Sequence, residues 1–177
     1  MPTGGEIVGL AVDATSGTFL LVDHDHRPLT PGVMYNDLRA TGQATEAAAA
    51  VRDALAPYGI QVAAAFALPK LLYFARCEPE LFRRCSRVVH QTDWIVGRLC
   101  GRYDVTDVST ALKTGVEPAR LEWPDGIESR LGIPRQLLPE VVLPGTPIGR
   151  LTADAAAATG LPAGTPIVAG CTDGTAG

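Results

Sequence analysis

The sequence predicts an α/β domain with a mostly helical middle and strands towards both ends. Short apolar runs at residues 7–13 and 18–23 are typical of buried strands. Helical patterns dominate residues 44–100, and a third apolar run occupies residues 165–170. Because strands at the two ends need partners, we expect distant strands to share one sheet.

The composition indicates a folded domain and argues against several classes of partner. The 177 residues are 46% apolar and 19% charged, with a formal net charge of −4, which is typical of a soluble globular protein. No basic stripe could follow a phosphate backbone, so nucleic-acid binding is not expected. No signal peptide and no apolar stretch of about 18 residues occur, so no membrane span is expected. The four cysteines lack zinc-site spacing, and a cytoplasmic protein with reduced thiols is the simplest interpretation.

The first 35 residues are expected to be extended segments joined by turns. Residues 7–13 and 18–23 are predicted as strands, with small residues forming a tight turn between them. A polar turn at 23–28 precedes another extended segment at 29–35. His24 and His26 lie in this polar turn, where a two-histidine metal site is not expected.

The middle of the chain is expected to be helical. Four segments have helical composition: residues 44–55, 69–75, 79–89 and 93–100. Pro57 and Gly59 end the first helix, and a proline lies near the first turn of the second and third. Thr92 is predicted to cap the fourth helix, and Gly101 follows its last turn.

The remaining third of the chain is expected to be less regular. Residues 106–114 predict a loop with one helical turn, in which Asp107 caps the turn, and residues 134–138 predict another helical turn. Thr152 is predicted to cap a short helix that Gly160 ends, before the last strand. Trp94 is expected in the core, and Cys171 is expected to be a small buried apolar residue.

Asp173 is the first candidate for function, because it lies in a glycine-rich loop directly after the last apolar run. Glycine lets the backbone approach a ligand closely. A carboxylate held in such a loop can act as a base or bind a metal ion. The alternative is a structural role, in which Asp173 caps the first turn of a helix.

Three further polar groups are candidates, each with a structural alternative. Ser16 and Gly17, with Asp13 nearby, lie in the first turn and could contact a ligand, or could form an ordinary small-residue turn. A polar cluster suited to recognising hydroxyl groups follows an apolar run, and an Arg–Asp brace is its alternative; its members are Asn36, Asp37 and Arg39. Lys70 near a helix start gains nothing from the helix dipole, which indicates another role, although a solvated lysine is the commoner case.

Five segments resemble, in the right order, motifs of the FGGY family of carbohydrate kinases. They are residues 12–23, 33–40, 68–75 with Glu78-Pro79, 91–109 and 158–173. They resemble the sugar-side strand and turn, the W-x-D-x-R segment, the helices that frame the sugar pocket, the L-T-G and T-D-x-S block, and the loop with the catalytic Asp. The sequence Asp-x-Thr-Ser-Gly-Thr is most similar to the D-ribulose and D-xylulose kinase branch.

The resemblance implies a fold and a set of site residues. The family has two ribonuclease-H-like domains of the actin-like ATPase superfamily, with ATP and sugar in the cleft between them. Residues 1–177 would form part of the N-terminal, sugar-binding domain, without its first hairpin and without the C-terminal domain. Asp173 would be the catalytic base. The substrate-binding residues would be Asp13, Ser16, Gly17, Asn36, Asp37 and Arg39, and the cofactor-binding residues Gly170, Thr172 and Gly174.

The function that the resemblance implies is ATP-dependent phosphorylation of a sugar hydroxyl on a ketopentose such as D-ribulose or D-xylulose. ATP and Mg²⁺ would be required in the complete enzyme, and the γ-phosphate would transfer in line without a covalent enzyme intermediate. The alternative is a non-catalytic sugar-binding fragment or pseudoenzyme from a truncated gene. A third possibility, an actin-like ATPase without sugar specificity, is disfavoured by the segment 35–39. A homodimer is a further expectation.

Overall fold

The computed structural model describes residues 6–176, which fold into short strands and helices around three apolar cores. The strands are β1 (Phe19–Val22), β2 (Arg87–His90), β3 (Val105–Asp107), β4 (Glu140–Val142), β5 (Pro147–Arg150) and β6 (Pro166–Val168). The helices are α1 (Ala44–Leu55), α2 (Ala67–Cys77), α3 (Pro79–Arg83), α4 (Gln91–Cys100), α5 (Val108–Ala111), α6 (Gly126–Ser129), α7 (Ala153–Thr159) and α8 (Asp173–Ala176). The predicted α/β class is confirmed.

The strands pair as three two-stranded ladders. β1 and β2 are antiparallel, β3 and β4 are parallel, and β5 and β6 are antiparallel. The expectation of one shared sheet is therefore wrong for the described residues. Each strand has only three or four residues, and such short strands form few ladder hydrogen bonds before the chain turns away.

The first apolar run joins the two ends of the described chain without forming a regular strand. Leu10 N donates to Pro166 O at 2.9 Å, and Val168 N donates to Leu10 O at 2.9 Å. These bonds place residues 10–14 parallel to β6. The prediction of a buried strand at 7–13 is wrong, since Val8 is 79% exposed; among the described residues this segment pairs on one edge only.

The extended segment predicted at 29–35 is confirmed in part, because residues 28–33 pair with β1. Leu29 N donates to Leu21 O at 2.7 Å, and Val33 N donates to Phe19 O at 2.7 Å. β1 therefore has β2 on one side and residues 28–33 on the other. This arrangement brings the chain after Val33 close to the turn that precedes β1.

The helix predictions hold in most places and fail around residue 90. α1 has the predicted bounds, and Thr152 caps α7 by accepting a hydrogen bond from Ala155 N at 3.2 Å. The helix predicted over 79–89 ends at Arg83, because Val88 and Val89 are buried in β2 against β1. The cap of α4 is His90, not Thr92, and its backbone N–H donates to the Asp93 carboxylate at 3.2 Å.

One large apolar core and two smaller ones hold the fold together. The larger one packs α1, α2 and β1 against residues 116–141, and Phe19 meets Phe74 edge to face at 6.4 Å. One smaller core beneath β5, β6 and α7 contains four buried side chains: Val96, Leu151, Ala155 and Ile167. The other, beside β1 and β2, contains Val22, Val89 and Tyr103. No helix among residues 6–176 is long and apolar enough to cross a bilayer.

Candidate functional site

An open cleft of about 300 Å³ lies where several elements end. Its lining residues are Thr15, Ser16, Tyr35, Lys113 and Asp173. They come from the turn before β1, the segment after Val33, the turn after α5 and the start of α8. One carboxylate, one ammonium group and three hydroxyl groups suit a small molecule that carries several hydroxyl groups.

Asp173 stands at the mouth of this cleft, with an exposed side chain. Its backbone N–H donates to Ala14 O at 3.1 Å, which ties it to the turn that carries Ser16. Its Oδ1 accepts a hydrogen bond from Gly174 N at 2.8 Å. Asp173 therefore stabilises the start of α8 and still presents a carboxylate oxygen to the cleft, so the structural and functional interpretations are compatible.

A chain of hydrogen bonds fixes the loop that carries Asp173. Asp107 accepts from Ser109 N at 2.8 Å and Thr110 N at 3.0 Å, which confirms the predicted cap. The Ser109 hydroxyl donates to the same carboxylate and accepts from Thr172 N at 3.0 Å. The position of the Asp173 loop thus depends on Ser109, a residue that we did not predict as part of the site.

The turn before β1 is ordered by hydroxyl groups. Tyr35 N donates to Thr18 Oγ1 at 3.0 Å, Thr18 Oγ1 lies 2.8 Å from Thr15 Oγ1, and Thr15 Oγ1 donates to Gln91 Oε1 at 3.1 Å. Since Thr15 donates to Gln91, Thr18 must be the donor to Thr15. The Ser16 hydroxyl, by contrast, has no hydrogen-bond partner within residues 6–176 and is free to bind a ligand.

Gly17 belongs to this turn, and the buried side chain of Lys70 contacts it from the protein interior. Gly17 has φ = +78°, and a Cβ there would lie 3.0 Å from Lys113 Cδ. The Lys70 amine donates to Gly17 O at 2.9 Å and to Met34 O at 2.7 Å. Its side chain is completely buried, so the alternative of a solvated lysine is wrong. Burial lowers the pKa of Lys70 from 10.5 to about 8.

The polar cluster at residues 36–39 lies outside the cleft lining. The Arg39 guanidinium contacts both Asp37 oxygens, with Nε 2.9 Å and Nη2 2.8 Å from Oδ2. Its hydrogen bond to the carboxylate is the main cause that lowers the pKa of Asp37. The guanidinium also lies 5.5 Å from the Phe74 ring centre. This geometry favours the brace over direct sugar contact, and contacts from Asn36, Asp37 and Arg39 to a sugar stay predictions.

The predicted cofactor-binding residues use their polar groups within the protein. Thr172 Oγ1 lies 2.9 Å from Thr175 Oγ1, and the backbone N–H groups of residues 172, 173 and 174 all donate to protein oxygens. Gly170 faces the backbone of Val12, because an added Cβ would lie 1.9 Å from Val12 O. Gly174 has open space around its Cα. Asp13 is exposed and does not line the cleft.

The structure adds Lys113 and Tyr35 to the candidate site. The resemblance covers residues 33–40 without singling out Tyr35, and residues 106–114 predict only a loop with one helical turn. No local pattern marks Lys113. Its place in the cleft depends on a tertiary contact between the turn after α5 and Gly17. The one sequence feature that could have suggested Lys113 is that it is the only cation in the polar segment 106–114.

His90 is a second polar group that the sequence did not reveal. Its side chain is fully buried and hydrogen-bonds through its two ring nitrogens to Asp93 at 2.8 Å and Thr114 at 2.8 Å. These contacts join β2, α4 and the turn that carries Lys113. His90 therefore supports the wall of the cleft from beneath without lining it.

Comparison with known proteins finds a matching family model and similar sequences. A family model described as the N-terminal domain of the FGGY family of carbohydrate kinases matches residues 3–177. The xylulose kinase of Escherichia coli K12 is 31% identical over 158 residues, which are 89% of this chain and 32% of that protein. The xylulose kinase of Bacillus subtilis 168 is 28% identical over 175 residues, 97% of this chain and 35% of that protein.

The fold is similar to that of solved structures as well. The crystal structure of a xylulose kinase from Rhodospirillum rubrum superposes with a TM-score of 0.88 at 27% identity, over 99% of this chain and 37% of that chain. The chain therefore spans about a third of the length of the proteins that it matches.

Proposed function

The chain belongs to the FGGY family of carbohydrate kinases, and on that basis we propose that it forms the acceptor-sugar side of a kinase that phosphorylates a ketopentose such as D-xylulose or D-ribulose. The observation that carries the proposal is the cleft in which Asp173 stands beside the hydroxyl of Ser16 and the ammonium of Lys113. The names of the matched xylulose kinases support the choice of sugar.

In this proposal Asp173 is the general base. It accepts the proton of the sugar hydroxyl as that oxygen attacks the phosphoryl group, a role that a positioned carboxylate can fill. Ser16 contributes a hydrogen bond to another sugar hydroxyl, because its own hydroxyl is unpaired within the described residues. Lys113 supplies a positive charge on the same wall, which favours the negative charge of the transferred group.

ATP with Mg²⁺ is the proposed phosphoryl donor, and it supplies the group that the sugar oxygen receives. The described residues alone do not fit the donor. The amide groups of residues 172–174 are already hydrogen-bonded within the protein, and residues 6–176 contain no cluster of three His, Cys, Asp or Glu side chains suited to a metal ion. The steps proposed here therefore concern only the sugar and its proton.

The test is ATP consumption with D-xylulose and with D-ribulose, using the protein expressed as its gene encodes it. We expect Asp173→Asn to lower kcat by about 10²–10⁴-fold, the usual contribution of a general base. Asp154→Asn, which changes an exposed carboxylate in the first turn of α7, is the matched control and should keep wild-type turnover. Wild-type turnover in the Asp173 variant would rule out Asp173 as the base.

The second candidate is a sugar-binding module without catalysis, and the internally bonded amides of residues 172–174 are the observation that favours it. Calorimetry separates the two functions. Binding of a ketopentose without ATP-dependent turnover would support the module, whereas turnover supports the kinase. A cytoplasmic location and a homodimer stay predictions, and light scattering coupled to size-exclusion chromatography tests the dimer.

A further inference from the structure

Lys70 is an unusual residue to find beneath the cleft. It lies in the first turns of α2, where a cation opposes the helix dipole, and its side chain is completely buried. Removing an ammonium group from water is costly unless it is well hydrogen-bonded. The two hydrogen bonds of the Lys70 amine, which an apolar side chain could not form, therefore indicate its role.

Both hydrogen bonds of Lys70 end next to residues that line the cleft. Gly17, whose carbonyl lies 2.9 Å from the amine, directly follows Ser16. Met34, whose carbonyl lies 2.7 Å from the amine, directly precedes Tyr35. The amine thus joins two chain segments that each contribute to the lining, and the hydrogen bond from Tyr35 N to Thr18 Oγ1 is a second, weaker connection between them.

We propose that Lys70 is a positioning residue, which sets the spacing between the Ser16 turn and Tyr35 and thereby the affinity of the cleft for its acceptor sugar. This inference rests on the proposed function of the cleft. An ammonium group that donates to two carbonyl groups holds them at a fixed separation. Lysine suits this position because its side chain is long enough to reach both carbonyls and its amine carries three N–H donors. Lys70 itself does not touch the sugar.

The test compares steady-state constants of the wild type and Lys70→Met, which keeps most of the side-chain volume and removes the donors. We expect the KM for the ketopentose to rise about tenfold, because a charged donor to two carbonyls is lost. The KM for ATP should stay within about twofold of the wild-type value. Lys70 contacts only Gly17 and Met34, which lie next to the residues proposed to bind the sugar. Lys70→Gln, which keeps two neutral donors, should give an intermediate KM for the sugar.

Leu131→Ala is the control for a merely structural effect, because Leu131 is buried in the larger core away from the cleft. It should lower the melting temperature and leave both KM values unchanged. An unchanged sugar KM in folded Lys70→Met would overturn the inference while leaving the kinase proposal intact. Failure of both Lys70 variants to fold would also overturn the inference, because the lysine would then be a requirement for folding.

Absence of any sugar phosphorylation by the wild type would instead reject the proposed function.

Discussion

At the residue scale, Ser109 connects two parts of the site through one hydroxyl group. It donates to Asp107 and accepts from Thr172 N at 3.0 Å, and Thr172 directly precedes Asp173. We expect Ser109→Ala to lower kcat about tenfold with little change in the sugar KM, because a loosened loop misplaces the carboxylate. Steady-state kinetics measure this. Ser129→Ala, whose hydroxyl bonds within its own helix, is the control; equal kcat values for the two variants would contradict the prediction.

Lys70 makes the stability of the fold depend on pH. Its pKa is about 8 in the folded protein, against an ordinary value of 10.5, chiefly because burial disfavours the charged amine. The charge of Asp37 raises this pKa, and the charges of Lys113 and Arg39 lower it. Between these two values the unfolded chain binds the proton that the folded chain has lost, so stability rises with pH. Relative to Lys70→Met, we expect the wild type to gain about 2 kcal/mol between pH 7 and pH 10.

Urea denaturation of both proteins across that pH range measures the difference, because other titrating groups are shared and cancel. A constant difference between the two proteins would mean that Lys70 has the same pKa in the folded and unfolded states. A difference that shrinks as pH rises would reverse the sign of the proposed linkage.

At the scale of elements, the parallel contact between residues 10–14 and β6 depends on a glycine. A Cβ at Gly170 would lie 1.9 Å from Val12 O, and backbone atoms cannot move aside as a flexible side chain can. We expect Gly170→Ala to lower the free energy of unfolding by about 2 kcal/mol or more. Gly32→Ala, where nothing lies within 4 Å of the added Cβ, is the control in the same urea titration; similar losses in both would contradict the packing argument.

At the same scale, some elements could be predicted from local sequence and others could not. α1, α7 and the cap at Asp107 follow from local rules, and the structure has them where the rules place them. β2 was mistaken for helix because Val88 and Val89 are buried by β1, a partner far away in the sequence. The cleft has the same limitation: Lys113 and Tyr35 meet Asp173 through tertiary contacts alone, so local patterns could not assign them to the site.

At the scale of the whole molecule, the loop that carries Asp173 follows an element that packs on one of the two smaller cores. β6 packs on four buried side chains, whereas α2 lies in the larger core. Because few buried contacts mean low local stability, we expect the amides of β5 and β6 to exchange with deuterium faster than those of α2. A saturating ketopentose should slow exchange at β6 more than at α2, and mass spectrometry measures both. Equal protection of the two regions without sugar would contradict this.

The contact between Leu10 and β6 also has a consequence for synthesis on the ribosome. Leu10 is made before its partners Pro166 and Val168, which follow only after most of the described chain. At about 5–20 residues per second, the first segment waits roughly ten to thirty seconds with its backbone unpaired. The larger core can form during that interval, whereas the cleft cannot. The carboxylate and the turn beside it are therefore brought together only after β6 has been made.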